Sequence, residues 1–300
     1  MGPAASSAPT LLILHGLEGS SRSHYVRGLA GRAAAGGWRA AAMNFRSCGG
    51  EANRLPRLYH SGETDDLDFA AASLAERFGA PLVVVGFSLG GNVLLKWLGE
   101  RRGEAPPELR GAAAVSASFA PGECAVRLDS LRGAIYRRHL LKSAQRKAEA
   151  FSRRHPGLID PGRVRRARGF VEFDRWATAP IHGFRDETDY YADASSLRFI
   201  PEIKIPTLIL SSRDDPIVSE KTFPAQAAGR SPWLRGVLLP SGGHCGFIEG
   251  RNPFGAGFWA DGCVLSFFFG LPGRGRRAGA ALRAGARLGK RPAEDAPGFS

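Results

Sequence analysis

Residues 81–99 constrain the fold of this chain more than any other stretch. Pro81-Leu82-Val83-Val84-Val85 is apolar throughout and rich in β-branched residues, the pattern of a strand buried on both faces of a parallel sheet. Gly86-Phe87-Ser88-Leu89-Gly90 follows, and Gly91-Asn92-Val93-Leu94-Leu95-Lys96-Trp97-Leu98 then has helical spacing, which predicts a helix ending at Gly99. A strand that turns into a helix within five residues strains the backbone at the central serine. Glycine on either side removes the Cβ atoms that would collide with the neighbouring strand and helix. G-x-S-x-G in that setting is a nucleophile elbow, which lifts a serine hydroxyl above the edge of an α/β sheet. An inert glycine–serine turn would share the pentapeptide but not its flanks.

The rest of the chain continues the alternation. Thr10–Leu14, Trp38–Phe45, Gly111–Ser116, Thr207–Ser212 and Arg235–Leu239 read as strands. Ser23–Ala35, Thr64–Phe78 and Phe258–Phe268 read as helices, the second with Asp65 and Asp66 in its first turn. Strands alternating with helices predict a mainly parallel, doubly wound α/β sheet. Residues 1–119 and 197–269 would form that core. Between them, residues 120–196 lose the alternation and read as an Arg-rich helical insertion, with Leu131–Ala150 as one helix and Pro161–Phe173 as a more ambiguous one. Ligands of such sheets bind beyond the carboxyl ends of the strands, so an insertion leaving from there predicts a cap over the site. Residues 270–300 are rich in Gly, Arg, Ala and Pro and read as a disordered basic tail.

A serine hydroxyl needs a base to take its proton and an acid to orient that base. In α/β-hydrolase folds the chain order is nucleophile, acid, histidine. After Ser88, Asp214-Asp215-Pro216 follows the Thr207–Ser212 strand, and Gly242-Gly243-His244 follows the Arg235–Leu239 strand. Both lie at carboxyl ends, the edge that carries Ser88. Asp215 is taken as the acid, leaving Asp214 as a turn or capping residue. Among seven histidines only His244 combines the order, a Gly-Gly approach and a strand end. His15 is suited to shaping the loop after the first strand; His24, His60, His139 and His155 read as structural or exposed; His182, in the cap, is placed to face a substrate. The backbone N–H groups of Leu89 and Leu17 are the expected donors to a developing oxyanion. This chemistry calls for no metal or organic cofactor.

Composition limits the partners. The hydrophobic content of 43% and charged content of 23% are those of an ordinary globular chain. No run approaches the about 20 apolar residues that span a bilayer, and a cytoplasmic location is expected. Cys48, Cys124, Cys245 and Cys263 have no C-x-x-C spacing and read as free thiols. The net charge of +13 is uneven: residues 121–175 hold fourteen Lys and Arg against six acidic residues, and residues 271–300 seven against two. Such segments attract anionic surfaces, so peripheral contact with a membrane is compatible with the chain; no nucleic-acid reader motif accompanies them, and specific nucleic-acid binding is not expected.

Several motifs resemble YheT-like α/β-hydrolases, a group related to plant embryogenesis-associated and animal abhydrolase-domain proteins. They are His15-Gly16-Leu17-Glu18-Gly19-Ser20, Asn44-Phe45-Arg46-Ser47-Cys48-Gly49-Gly50-Glu51, Tyr59-His60-Ser61-Gly62-Glu63-Thr64 and Gly86–Asn92. Glu172-Phe173-Asp174, Thr178-Ala179-Pro180-Ile181-His182-Gly183-Phe184 and Asp189-Tyr190-Tyr191 continue the likeness. Asp214-Asp215-Pro216 and Gly242-Gly243-His244-Cys245-Gly246-Phe247 end it. The resemblance spans roughly residues 10–269 and implies Ser88, Asp215 and His244 as a triad acting on carboxylic esters, lipid-like ones included. Relatives of this kind carry two further strands before the first strand seen here, so N-terminal strands look missing and Arg39–Phe45 is expected at an exposed sheet edge. The alternatives are a non-catalytic protein whose basic cap holds anionic lipid or nucleic acid, or an inactive fragment.

Overall fold

The computed structural model describes residues 7–249 and 257–271. Strands β1 (Thr10–Leu14), β2 (Arg39–Met43), β3 (Leu82–Phe87), β4 (Leu109–Val115), β5 (Thr207–Ser212) and β6 (Leu234–Leu239) form a six-stranded sheet in the order β2-β1-β3-β4-β5-β6. Every pairing in it is parallel. Helices α1 (His24–Ala35), α2 (Asp65–Phe78) and α3 (Leu89–Arg101) link the first four strands. Between β4 and β5 come α4 (Pro121–Asp129), α5 (Ala134–Arg154), α6 (Pro161–Arg166), α7 (Phe170–Phe173), α8 (Ala179–His182) and α9 (Glu187–Ala194), with a π-helical turn at Asp174–Thr178. Helix α10 (Ala225–Arg230) joins β5 to β6. A short antiparallel pair, β7 (Ile248–Glu249) with β8 (Gly257–Phe258), precedes α11 (Trp259–Phe269).

The two-residue period of the strands divides the core into two layers. Leu11, Ile13, Val83, Val85, Ala113 and Leu208 face one side, where Val26 and Leu29 of α1 and Val264 and Phe268 of α11 meet them. Leu12, Leu14, Val84, Ala112 and Ile209 face the other, under Leu67 of α2 and Val93, Leu94 and Trp97 of α3. Strands covered on both faces are apolar at every position, which is why β1 and β3 show no alternation in sequence. Strand β2 lies at one end of the sheet, the edge position expected for Arg39–Phe45.

Helix α3 does not stop at Gly99 but runs to Arg101 and is capped by Arg102 in the left-handed region at φ 49°. Gly99 serves another purpose: a Cβ there would sit 2.2 Å from the carbonyl oxygen of Phe199, so its small size permits a close crossing. The predicted Leu131–Ala150 helix is displaced to Ala134–Arg154. Helices α4, α8 and α9 and the π turn escaped the sequence pattern, because short helices carry too few turns to show a period. The four cysteines are free. No helix among the described residues is long and apolar enough to cross a membrane. Beyond Leu271 the expected disordered tail lies outside the described residues.

Candidate active site

Ser88 occupies the turn between β3 and α3 with φ 51° and ψ −118°, a strained conformation for a side-chain-bearing residue. The elbow is held from both ends: Ser88 N–H donates to the Val115 carbonyl at 2.9 Å, and the Ser88 carbonyl accepts from Asn92 N–H at 3.1 Å. Any Cβ at Gly86 would lie 2.3 Å from the Gly90 carbonyl oxygen, and one at Gly90 2.6 Å from that of His15. The sharp turn therefore requires both glycines.

Ser88 Oγ lies 2.8 Å from His244 Nε2. On the other side of the ring, His244 Nδ1 lies 2.8 Å from Asp215 Oδ2 and 3.1 Å from Oδ1. Asp215 is buried, and its Oδ1 also accepts the N–H groups of Ile217 and Val218 at 2.8 and 2.9 Å, so the carboxylate is fixed before it meets the imidazole. Asp214 takes a different part: its Oδ1 accepts from the amides of Gly242 and Gly243, each at 2.9 Å. The Gly-Gly approach to His244 is thus pinned, and Ser212 Oγ and Ser116 Oγ add bonds to the carbonyls of Gly243 and His244. Burial works against protonation of the His244 imidazole. The adjacent Cys245 sulfur and the Asp215 carboxylate outweigh it and hold the pKa well above the ordinary histidine range.

Leu17 and Leu89 line the same cavity as Ser88. Neither backbone N–H is bonded to another group among the described residues. The loop bearing Leu17 is anchored on both sides. Gly16 N–H donates to Tyr25 Oη at 2.9 Å. Glu18, at φ 57°, gives its N–H to Tyr59 Oη at 2.9 Å and receives that hydroxyl on Oε1 at 2.7 Å. His15 shapes this loop: its Nδ1 donates to the Gly16 carbonyl at 2.7 Å and its Nε2 accepts from Phe45 N–H at 3.1 Å. Burial lowers its pKa to about 4, so the ring is neutral.

Lys147 of α5 clamps this loop from across the cavity. Its Nζ lies 3.0 Å from Glu18 Oε2 and 2.9 Å from Cys48 Sγ, and 5.5 Å from the centre of the Tyr59 ring. The Glu18 side chain is only 3% exposed, so removing its counter-ion leaves a buried charge uncompensated. Lys147→Met is therefore expected to cost about 3 kcal/mol of stability, read as a lower midpoint in urea unfolding; an unchanged midpoint would show the pair to be energetically idle.

The cavity, of about 260 Å³, is walled on one side by apolar residues of the β4–β5 segment, among them Leu128, Leu140, Phe170 and Ile181. A polar wall stands elsewhere in it. His60 and His182 meet edge to face with ring centres 4.4 Å apart, and burial lowers their pKa values to about 3 and about 4, leaving both uncharged. Asp174, in the π turn, accepts from Thr178 Oγ1 at 2.6 Å and from Tyr191 Oη at 2.8 Å; burial raises its pKa to about 7. His60 is thus a cavity residue rather than an exposed one; His24 is exposed, as allowed for, and also borders the cavity, while His182 faces the cavity as expected. Asn92 carried no assigned role in the sequence, yet its side chain makes bonds to the carbonyls of Ser61 and Ala194 and to the Ser196 amide at 2.8, 2.7 and 3.1 Å. It ties the elbow helix to the end of α9. Only its place in the Gly86–Asn92 motif hinted at this.

A family model described as alpha/beta hydrolase fold matches residues 9–251. The Escherichia coli protein YheT is 37% identical over 249 residues, which cover 82% of this chain and 72% of YheT. The Mus musculus phospholipase ABHD3 is 32% identical over 251 residues; the match covers 83% of this chain but only 61% of ABHD3. Among solved structures, the Pyrococcus furiosus esterase Pf2001 superposes with a TM-score of 0.58 at 18% identity, covering 90% of this chain and 84% of that one.

Proposed function

Because the chain belongs to the α/β-hydrolase family, among YheT-like proteins, we propose that it is a serine hydrolase of carboxylic esters, acting through an acyl-enzyme on short-to-medium or lipid-like acyl groups. The observation that carries this reading is the unbroken series from Ser88 Oγ to His244 Nε2 at 2.8 Å and from His244 Nδ1 to Asp215 Oδ2 at 2.8 Å. In this reading Ser88 Oγ attacks the ester carbonyl carbon while His244 Nε2 takes its proton. Asp215 holds the imidazolium that results, and the Leu17 and Leu89 amides receive the oxyanion. The tetrahedral species collapses by breaking the carbon–oxygen bond to the alcohol, which leaves with the proton from Nε2. Water, deprotonated by the same imidazole, then attacks the acyl carbonyl and frees Ser88.

The apolar wall under α4, α5 and α7 suits an acyl chain, and the uncharged polar wall at His60 and His182 suits the alcohol portion. His182 Nε2 is buried without a hydrogen-bond partner among the described residues. The helices between β4 and β5 act as the cap in this scheme. A cavity of about 260 Å³ is near the lower end for small-molecule sites and favours modest acyl chains. Turnover of p-nitrophenyl esters of increasing chain length tests the proposal: kcat/KM is expected to peak at short-to-medium acyl length and decline for long chains. A folded sample that hydrolyses none of them would refute it.

A further inference from the structure

The turn between α4 and α5 holds an exposed apolar tip at the rim of the cavity. Leu131 is 95% exposed and Ile135 86%, the two highest values among the large apolar side chains described, with Val126 at 61% close by in sequence. Helix α5 buries Leu141, Ala144, Ala148 and Phe151. On its opposite side Ile135, His139, Lys142 and Arg146 recur at helical spacing, all exposed. Tyr136 and Leu140 of the same helix line the cavity, and Tyr136 is itself exposed. The apolar tip is therefore continuous with the entrance to Ser88.

Charge completes the pattern. Arg132, Arg138, Lys142 and Arg146 are exposed and enter no ion pair among the described residues. Of the acidic groups nearby, Asp129 is occupied in accepting the Phe170 and Val171 amides, and Glu149 is paired with Arg165; Glu123 alone stands exposed on α4. We propose that this tip is a docking surface for an anionic lipid bilayer, with Leu131 and Ile135 entering the headgroup–acyl boundary and the four cations meeting lipid phosphates. The proposal builds on the ester-hydrolase reading in one respect: docking would bring the cavity entrance to the surface where lipid-like esters reside. A nucleic acid would satisfy the cations but leave Leu131 and Ile135 in water. A second copy of the chain would oppose two sets of four cations. A bilayer rewards both features together.

The test is co-sedimentation of the full chain with vesicles of phosphatidylcholine alone, or of phosphatidylcholine mixed with phosphatidylglycerol. Binding to the anionic vesicles is expected to be about 10-fold or more tighter than to the neutral ones and to weaken with salt. The double variant Leu131→Asp/Ile135→Asp is expected to lose about 10-fold or more of that binding. It should turn over a short water-soluble ester at the wild-type rate, since neither side chain lines the cavity. Phe69→Asp, which removes a 76% exposed apolar side chain from α2, should bind vesicles as the wild type does. Failure of the wild type to bind anionic vesicles, equal binding by the double variant, or a concentration-dependent dimer abolished by that variant would each overturn the proposal. If the wild type binds vesicles but leaves the soluble ester untouched, the docking surface stands and the ester-hydrolase reading falls.

Discussion

Ser88→Ala is expected to reduce kcat for a soluble ester by about 10⁵-fold or more, with the fold intact. The size follows from removing the one atom that forms the acyl bond, since losing a triad serine forfeits nearly all catalysis beyond oxyanion and binding effects. The fold should survive because, among the described residues, Oγ has a single side-chain partner, His244 Nε2. The strained backbone at φ 51° is held by main-chain bonds that alanine keeps. Unfolding midpoints within about 1 kcal/mol of wild type would verify that expectation. A variant retaining more than a tenth of wild-type turnover would move the chemistry to another group.

Asp215→Asn separates orientation from mere presence. Its Oδ1 can still accept the Ile217 and Val218 amides. The new amide NH₂ would then face His244 Nδ1, which must become an acceptor. The ring proton moves to Nε2, and an Nε2–H cannot take the proton of Ser88. A loss of about 10⁴-fold in kcat is expected on that tautomeric ground. The pH profile carries a second signature. The His244 pKa is held above the ordinary histidine value, against the effect of burial, by Cys245 and Asp215. Catalysis needs the neutral ring, so kcat/KM should fall as pH drops through that raised pKa, placing the acid limb above about 6.5. Removing the carboxylate charge should shift the limb to lower pH. A variant with wild-type rate and an unshifted limb would remove Asp215 from the mechanism.

How much of this was legible beforehand depended on whether a feature is local. The elbow was readable because strand, turn and helix are contiguous, and the covering of β1 and β3 on both faces shows as unbroken apolar runs. Asp215 and His244 were reachable because each follows a strand end, and parallel strands deliver those ends to one edge. Asp214 and Asp215 differ in sequence only by one position, yet one caps the Gly242–Gly243 turn and the other faces the imidazole. What escaped notice joins distant segments. Lys147 meets Glu18 across the cavity, His60 meets His182 edge to face, and Asn92 spans Ser61 and Ala194. No period or spacing encodes such pairings, because they depend on how the β4–β5 helices settle over the sheet. Gly99 misled for a related reason: a glycine that admits a crossing segment looks in sequence like one that ends a helix.

Incubation with a fluorophosphonate, followed by intact mass and peptide mapping, tests the proton-relay account at its centre. Stoichiometric modification of the hydroxyl at position 88, abolished in Ser88→Ala and strongly slowed in His244→Ala, is the expected result. A folded protein that stays unmodified, or carries the label on any other residue, would contradict it.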